Sequence, residues 1–253
     1  MFKGCDLSHH QRGVVDFAKL KDEVDFVILR AGYTGYRDGQ QHFDQCFTEF
    51  ADECTEHGID FGAYWFSQAI NVKEAIAEAD ALYEAVRNYT VKYPVYIDTE
   101  YSNNKYDGRA DGLSVAERTN VVKAFCRRME ERGYYCGYYC SESWLRNHLD
   151  MEQLAPWDWW AAKWSTKPPS VGVKYGMWQY TNNAKLNGVL KRVDMNCTER
   201  NYPHIIETNA LNIGKAKRLA ITIKDVCETT ADKIIAYLQE IDVDNETIEV
   251  EVY

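Results

Sequence analysis

Eight short strand-like runs recur along the first 195 residues, at 2–6, 25–31, 60–66, 93–98, 134–140, 159–163, 175–179 and 192–195. The first five are separated by stretches long enough for helices, whereas the last three follow with only loops between them. Strands alternating with amphipathic helices predict an α/β fold, a parallel sheet with helical crossovers. Eight such strands fit a closed barrel, and 253 residues is a natural length for a barrel of this kind.

The helices show in the spacing of apolar residues. Between positions 42 and 57, Phe43, Phe47, Phe50, Ala51 and Cys54 fall on one stripe, which Gly58 ends. Residues 72–89 carry Ala75, Ala79, Leu82 and Val86 on one face. Ser114 and Glu117 have the spacing of a capping box. The helix they open presents Val121, Val122, Phe125 and Met129 before Gly133 stops it.

After Pro203 the texture changes. Tryptophan disappears, and positions 204–253 hold five Lys/Arg against ten Asp/Glu. Residues 1–203 therefore read as the barrel domain and 204–217 as a linker. Positions 218–253 read as a small βαβ-like module, with strands at 219–223 and 247–252 around a helix at 229–240. Some 50 residues make a marginal core alone, so this module is expected to pack on the barrel, form a homodimer or bind something else.

A formal charge of −10 argues against a broad electrostatic grip on nucleic acid or on an anionic membrane. No apolar run approaches the roughly 18 residues needed to cross a bilayer, and Met1 leads straight into a strand rather than a signal peptide. The eight cysteines, at 5, 46, 54, 126, 136, 140, 197 and 227, show no CxxC spacing and read as buried reduced thiols. Neither a metal nor a cofactor is expected.

Residues at the C-terminal ends of barrel strands share one mouth. Here those ends deliver Asp6 with Ser8 and Gln11, then Tyr64, then Asp98 and Glu100. Tyr139 and Ser141 follow, then Trp178 and Gln179, and finally Asp194 and Asn196. Carboxylates gathered this way raise one another's pKa, which helps when one acid must stay protonated near neutral pH. Asp98 and Glu100 are the sharpest pair. Residues i and i+2 of a strand leave the same face about 6.5–7 Å apart, an arrangement suited to glycosidic bond hydrolysis.

The segment Gly4-Cys5-Asp6-Leu7-Ser8-His9-His10-Gln11 resembles the opening Gly-x-Asp-x-Ser-x-x-Gln of the glycoside hydrolase family 25 muramidases. Tyr96-Ile97-Asp98-Thr99-Glu100 is similar to that family's central Asp-x-Glu. Trp178-Gln179-Tyr180 and Val193-Asp194-Met195-Asn196 resemble its closing segments, while Arg30-Ala31-Gly32-Tyr33 and Gly62-Ala63-Tyr64-Trp65-Phe66 fit its second and third strands. The resemblance runs from about residue 2 to 203 and implies a modified TIM-like barrel of eight strands with five helices. It also implies cleavage of the β-1,4 bond between N-acetylmuramic acid and N-acetylglucosamine in peptidoglycan.

Carried onto this chain, the resemblance makes Glu100 the general acid and Asp98 its partner, either as nucleophile or as the group orienting the substrate's acetamido. Asp6 and Asp194 would form an outer acidic ring, and Tyr64, Tyr139, Trp178, Gln179 and Gln11 would contact sugar. The expected protein is a phage endolysin made in the host cytoplasm without a signal peptide and acting at the cell wall after release. Two other readings stand beside it: a peptidoglycan-binding protein without turnover, and a glycosidase for a related polymer such as chitin. His9 and His10 read as surface or supporting groups, and among Trp157, Trp159, Trp160 and Trp164 at most one is expected to stack on sugar.

Overall fold

The computed structural model describes residues 1–102 and 105–213, together with Thr230 and Lys233. Nine strands are laid out as β1 (Phe2–Leu7), β2 (Phe26–Thr34), β3 (Gln41–Phe43), β4 (Asp60–Phe66), β5 (Val95–Asp98), β6 (Cys136–Ser141), β7 (Asp158–Ala162), β8 (Met177–Leu186) and β9 (Val189–Thr198). Their order is β1-β9-β8-β7-β6-β5-β4-β2-β3, and an additional β1–β2 pairing closes eight of them into a barrel with β3 outside. Parallel pairings run from β1 through β2, β4, β5, β6 and β7 to β8. β9 runs antiparallel to both of its neighbours.

Seven α-helical segments accompany the strands among the described residues: α1 (Phe17–Leu20), α2 (Phe47–His57), α3 (Val72–Val86), α4 (Val115–Glu131), α5 (Glu142–His148), α6 (Met151–Leu154) and α7 (Tyr202–Thr208). α1 and α6 are single turns. Ser114 caps α4 with the reciprocal bonds read from the sequence, and its hydroxyl accepts from Glu117 N–H. Gly58 ends α2 at φ +68°, a left-handed conformation that glycine adopts without strain.

One boundary differs from the apolar spacing. The stripe from Phe43 predicts helix from position 42, yet Gln41, His42 and Phe43 pair antiparallel with Thr34, Tyr33 and Gly32. Phe43 is 57% exposed and only edges onto Trp65. Asp44 is what turns the chain. Its buried carboxylate accepts from Cys46 N–H at 2.9 Å and from Arg30 Nε at 2.7 Å, which pins the start of α2 beside β2.

The apolar residues form two cores. The outer one lies between barrel and helices, where Phe47, Phe50, Ala75, Leu82, Val122 and Phe125 meet the outward side chains of the strands. The inner one fills the barrel with Phe26, Ile28, Tyr93, Tyr96, Tyr139, Trp160, Met177 and Tyr202. Large rings fit there because glycine faces them: a Cβ on Gly4 would run into the Phe26 ring.

The segment after Pro203 is packed rather than free. Tyr202 and Ile206 of α7 are buried in the inner core, sealing the end of the barrel where the parallel strands begin. Tyr202 stands against Tyr93 and Tyr135, and its hydroxyl donates to Asp158 at 3.0 Å. Further on, buried Asn212 donates its amide to the carbonyls of Val91 and Tyr93, both at 3.0 Å, and accepts from Tyr135 N–H at 2.7 Å. The barrel domain therefore extends at least to Ile213, and residues 204–213 are not linker. Apart from Thr230 and Lys233, the expected C-terminal strands and helix, and the rest of the linker, lie outside the described residues.

Candidate active site

β1 and β9 bring two carboxylates face to face: Asp6 is the register partner of Asp194. The side chains hydrogen-bond to each other, which requires a proton between them. Burial, the Asp6 charge and this bond push Asp194 up to about 8, so Asp194 holds the proton and donates it. Asp6 is also raised by burial, against which hydrogen bonds from Asn196, Gln179 and Asp194 work.

Two amides orient Asp6. Gln179 Nε2 donates to Asp6 Oδ2 at 3.0 Å and Asn196 Nδ2 donates to the same oxygen at 2.9 Å. Each amide oxygen is engaged in turn. Tyr139 Oη and Trp164 Nε1 both donate to Gln179 Oε1 at 3.0 Å, while Trp160 Nε1 donates to Asn196 Oδ1 at 2.8 Å. Indole nitrogens can only donate, so the amide orientations follow and both NH2 groups must face the acid.

Asp98 ends β5 and is buried; its Oδ1 meets no hydrogen-bond partner among the described residues. Burial holds its carboxyl well above the ordinary range, helped by the charges of Glu100 and Asp6 and opposed by Arg30. Glu100, just past the strand, differs in setting. Its side chain opens to solvent, yet protein surrounds it on the remaining sides. That enclosure and the Asp6 charge push it up to about 7. Water in the mouth tempers the effect, and a bound sugar that displaced the water would strengthen it.

Arg30 supplies the counter-charge. It projects from β2 beside Tyr64 in register, donates to Asp44, and also meets His9 Nδ1. Asp44 is held below the usual carboxylate range by Cys46 N–H, Arg30 and His9 N–H against its own burial. Tyr64 senses both Arg30 and the acids, and its ring stands edge-on to Trp160 at 5.8 Å.

A profile for Glycosyl hydrolases family 25 matches residues 5–189. The chain belongs to that family. Comparison with curated proteins finds no match. Among solved structures, family-like barrels are found in the modular autolysin LytC from Streptococcus pneumoniae, solved with a synthetic peptidoglycan ligand, at 24% identity and TM-score 0.68. That likeness covers 77% of this chain and 46% of the autolysin, so the chain spans about half its length. The spore cortex lytic enzyme SleM from Clostridium perfringens matches at 26% identity and TM-score 0.67, over 79% of this chain and 67% of that one. The catalytic domain of an endolysin from a bacteriophage of Listeria monocytogenes matches at 20% identity and TM-score 0.66, over 82% and 97%.

Within this family 25 barrel, Asp6, Asp98, Glu100, Asp194, Tyr64, Tyr139 and Gln179 gather at one mouth. Two expected sugar contacts are not among them. Trp178 precedes inward-facing Gln179 on β8 and so points out of the barrel, with Nε1 donating to Lys163 O at 2.9 Å and the ring beside Tyr180. Gln11 closes a capping box instead: its Oε1 accepts from Ser8 N–H at 3.0 Å across the 3-10 turn His9–Gln11. Of the four tryptophans weighed, Trp157, Trp159 and Trp160 are buried, and Trp164 is 59% exposed beside Glu100. Arg30 stands in the second-strand match above without a role at the mouth. Its signal was a cation inside the apolar run Phe26–Thr34. Among the described residues no cluster of His, Cys, Asp and Glu could hold a metal.

Proposed function

We propose that this chain is a peptidoglycan hydrolase of the N-acetylmuramidase type, cleaving the β-1,4 bond between N-acetylmuramic acid and N-acetylglucosamine. The observation that carries this reading is the pairing of Asp98, buried, with Glu100, open to the groove, above an Asp6–Asp194 pair that already shares a proton. Two neighbouring carboxyls in a low-dielectric mouth resist double ionisation. Arg30 works against the burial of Asp98, and in this reading Asp98 is the ionised member of the pair while Glu100, open to the groove, carries the proton.

In this reading Glu100 donates its proton to the glycosidic oxygen as the bond to the anomeric carbon breaks. Asp98, negatively charged, stabilises the oxocarbenium-like centre, either by bonding to it or by aligning the substrate's acetamido oxygen to do so. Water then completes the reaction, with Glu100 taking back a proton. Tyr64, Tyr139 and exposed Trp164 line the place where sugar rings would lie, and Trp164 offers a face for stacking.

The biological setting we propose is that of an endolysin, acting on the bacterial wall after release from the host cell. The barrel shared with the phage endolysin domain and with LytC, an autolysin solved with a synthetic peptidoglycan ligand, supports this reading.

Digestion of purified Gram-positive peptidoglycan by the wild type and by Glu100→Gln tests the proposal, with mass spectrometry of the new reducing ends. Muramic acid ends, with a rate in the variant lower by at least about a hundredfold, are expected. Glucosamine ends, or no cleavage by a folded protein, would overturn it.

A further inference from the structure

Two cavities open from Glu100, of about 580 and 510 Å³, and they share Glu100, Ser141, Ser143 and Asn147. They are therefore two arms of one groove, and the arms differ in charge. One is lined by Tyr101, Tyr106, Trp144 and His148. Burial and nearby Arg118 lower the His148 pKa, so that arm is neutral near pH 7. Arg118 itself is buried behind Trp144, with its guanidinium spent on the carbonyls of Ala110, Asp111 and Leu113.

The other arm holds Arg146 and Lys163 with Glu142 between them. Lys163 Nζ lies 2.7 Å from one Glu142 oxygen and Arg146 NH2 lies 3.4 Å from the other. Lys163 also donates to Pro168 O at 3.1 Å, which fixes its direction. One acid cannot neutralise two cations, so a net positive charge sits beside Glu100 in a chain whose formal charge is −10. Arg146 is the more accessible cation, its side chain 55% exposed against 30% for Lys163.

We infer that this arm, through Arg146 and Lys163, binds a carboxylate carried by one sugar of each repeating pair in the glycan, and so distinguishes peptidoglycan from neutral polymers of N-acetylglucosamine. The inference rests on the hydrolase reading above and names its substrate determinant. In peptidoglycan every second sugar bears a lactyl ether. Its carboxyl group is ionised in peptide-free strands; where a peptide stem is attached, that group is an amide and the carboxylates belong to the stem. Either source presents an anion next to a mouth already holding four acids, where repulsion would otherwise oppose binding. A cation pair on one arm offsets that repulsion and gives the charged sugar a preferred seat, leaving the neutral aromatic arm to its partner.

The test compares kcat/KM at low salt for three soluble glycans: peptide-free with lactyl carboxylates, the same with those groups converted to methylamides, and stem-bearing. The wild type should favour the free acid or the stem-bearing glycan over the methylamide by about fivefold, and added salt should shrink the ratio. Whichever glycan shows the preference identifies the source of the anion. In Arg146→Gln the ratio should fall toward one, whereas in Glu142→Gln, which removes the competing acid, it should rise. A merely structural role would not make exposed Arg146 and half-buried Glu142 move the ratio in opposite directions. A ratio unchanged in both variants, or lowered in Glu142→Gln, would overturn the inference. The same ratios read by calorimetric binding to Glu100→Gln need no turnover, so failure to cleave would defeat the hydrolase reading while this inference still stood or fell on binding.

Discussion

Asp6 and Asp194 are cross-strand partners in the antiparallel join of β1 with β9, and their carboxyl groups share a hydrogen bond. Two acids held this way act as one anion with one proton. They place a fixed negative charge under Asp98 and Glu100 without the cost of two.

That sharing has a stability signature. Asp194 keeps its proton to about 8, whereas in an unfolded chain it would lose it near 4. Across that interval the folded state binds more protons than the unfolded one, so this pair's contribution to stability falls as pH rises. Asp194→Asn, which keeps a donor toward Asp6, should raise the melting temperature at pH 8 by at least about 2 °C, the shift roughly 1 kcal/mol gives in a domain of this size. At pH 4 it should change little. Thermal unfolding followed by circular dichroism at the two pH values reads the difference.

Activity should decline on the alkaline side as Glu100 loses its proton. With its carboxyl pushed up to about 7, kcat/KM on soluble glycan should drop about tenfold for each pH unit beyond that value. A profile flat to pH 9 would remove Glu100 from the role of acid.

Arg30 and Asp44 should prove inseparable for folding but not for catalysis. Asp44 has no exposed side-chain surface, and Arg30→Met strands its charge, at a cost of about 3–5 kcal/mol. Adding Asp44→Leu removes the stranded charge and should recover part of that stability in urea titrations, less than all because the Cys46 and His9 N–H groups lose their acceptor. It should not recover activity, because Asp98 then lacks the cation that favours its ionised form.

The barrel should tolerate loss of its tail at one place and not at another. A chain ended after Pro203 lacks Ile206, whose burial alone is worth about 1.5–3 kcal/mol, and leaves the Val91 and Tyr93 carbonyls without Asn212. A chain ended after Ile213 keeps both. Comparing their urea midpoints should show the shorter chain clearly weaker.

The sequence made the barrel readable because β strands and helices leave different periods, and eight runs with Gly-bounded helices leave few architectures. The acids at the strand ends were equally legible. What escaped was direction and partnership. Trp178 and Gln179 are adjacent on a strand, so only one could face inward, and the amide that completes the hydrogen-bond chain to Asp6 took that place. Ser8-x-x-Gln11 has the spacing of a capping box, a local explanation for Gln11 that requires no ligand. Phe43 fitted the helical stripe, but the buried Asp44 next to it answers to Arg30 across 14 positions, and periodicity carries no such information. Glu78 sits on the apolar face of α3, where Ser67 Oγ and Gln68 N–H bond its carboxylate and burial pushes it up to about 7. Nothing in the helix pattern distinguishes it from a solvated acid.

Asn212 grips the carbonyls of Val91 and Tyr93, which lead into β5, whereas Asp98 closes that strand at its opposite end. The polypeptide at Ile213 therefore departs from the rear of the barrel. The mouth that holds Asp98 opens at the other end. Cargo joined at Ile213, whether a reporter, a bead or an anchoring module, would trail behind the cutting edge like a handle behind a blade.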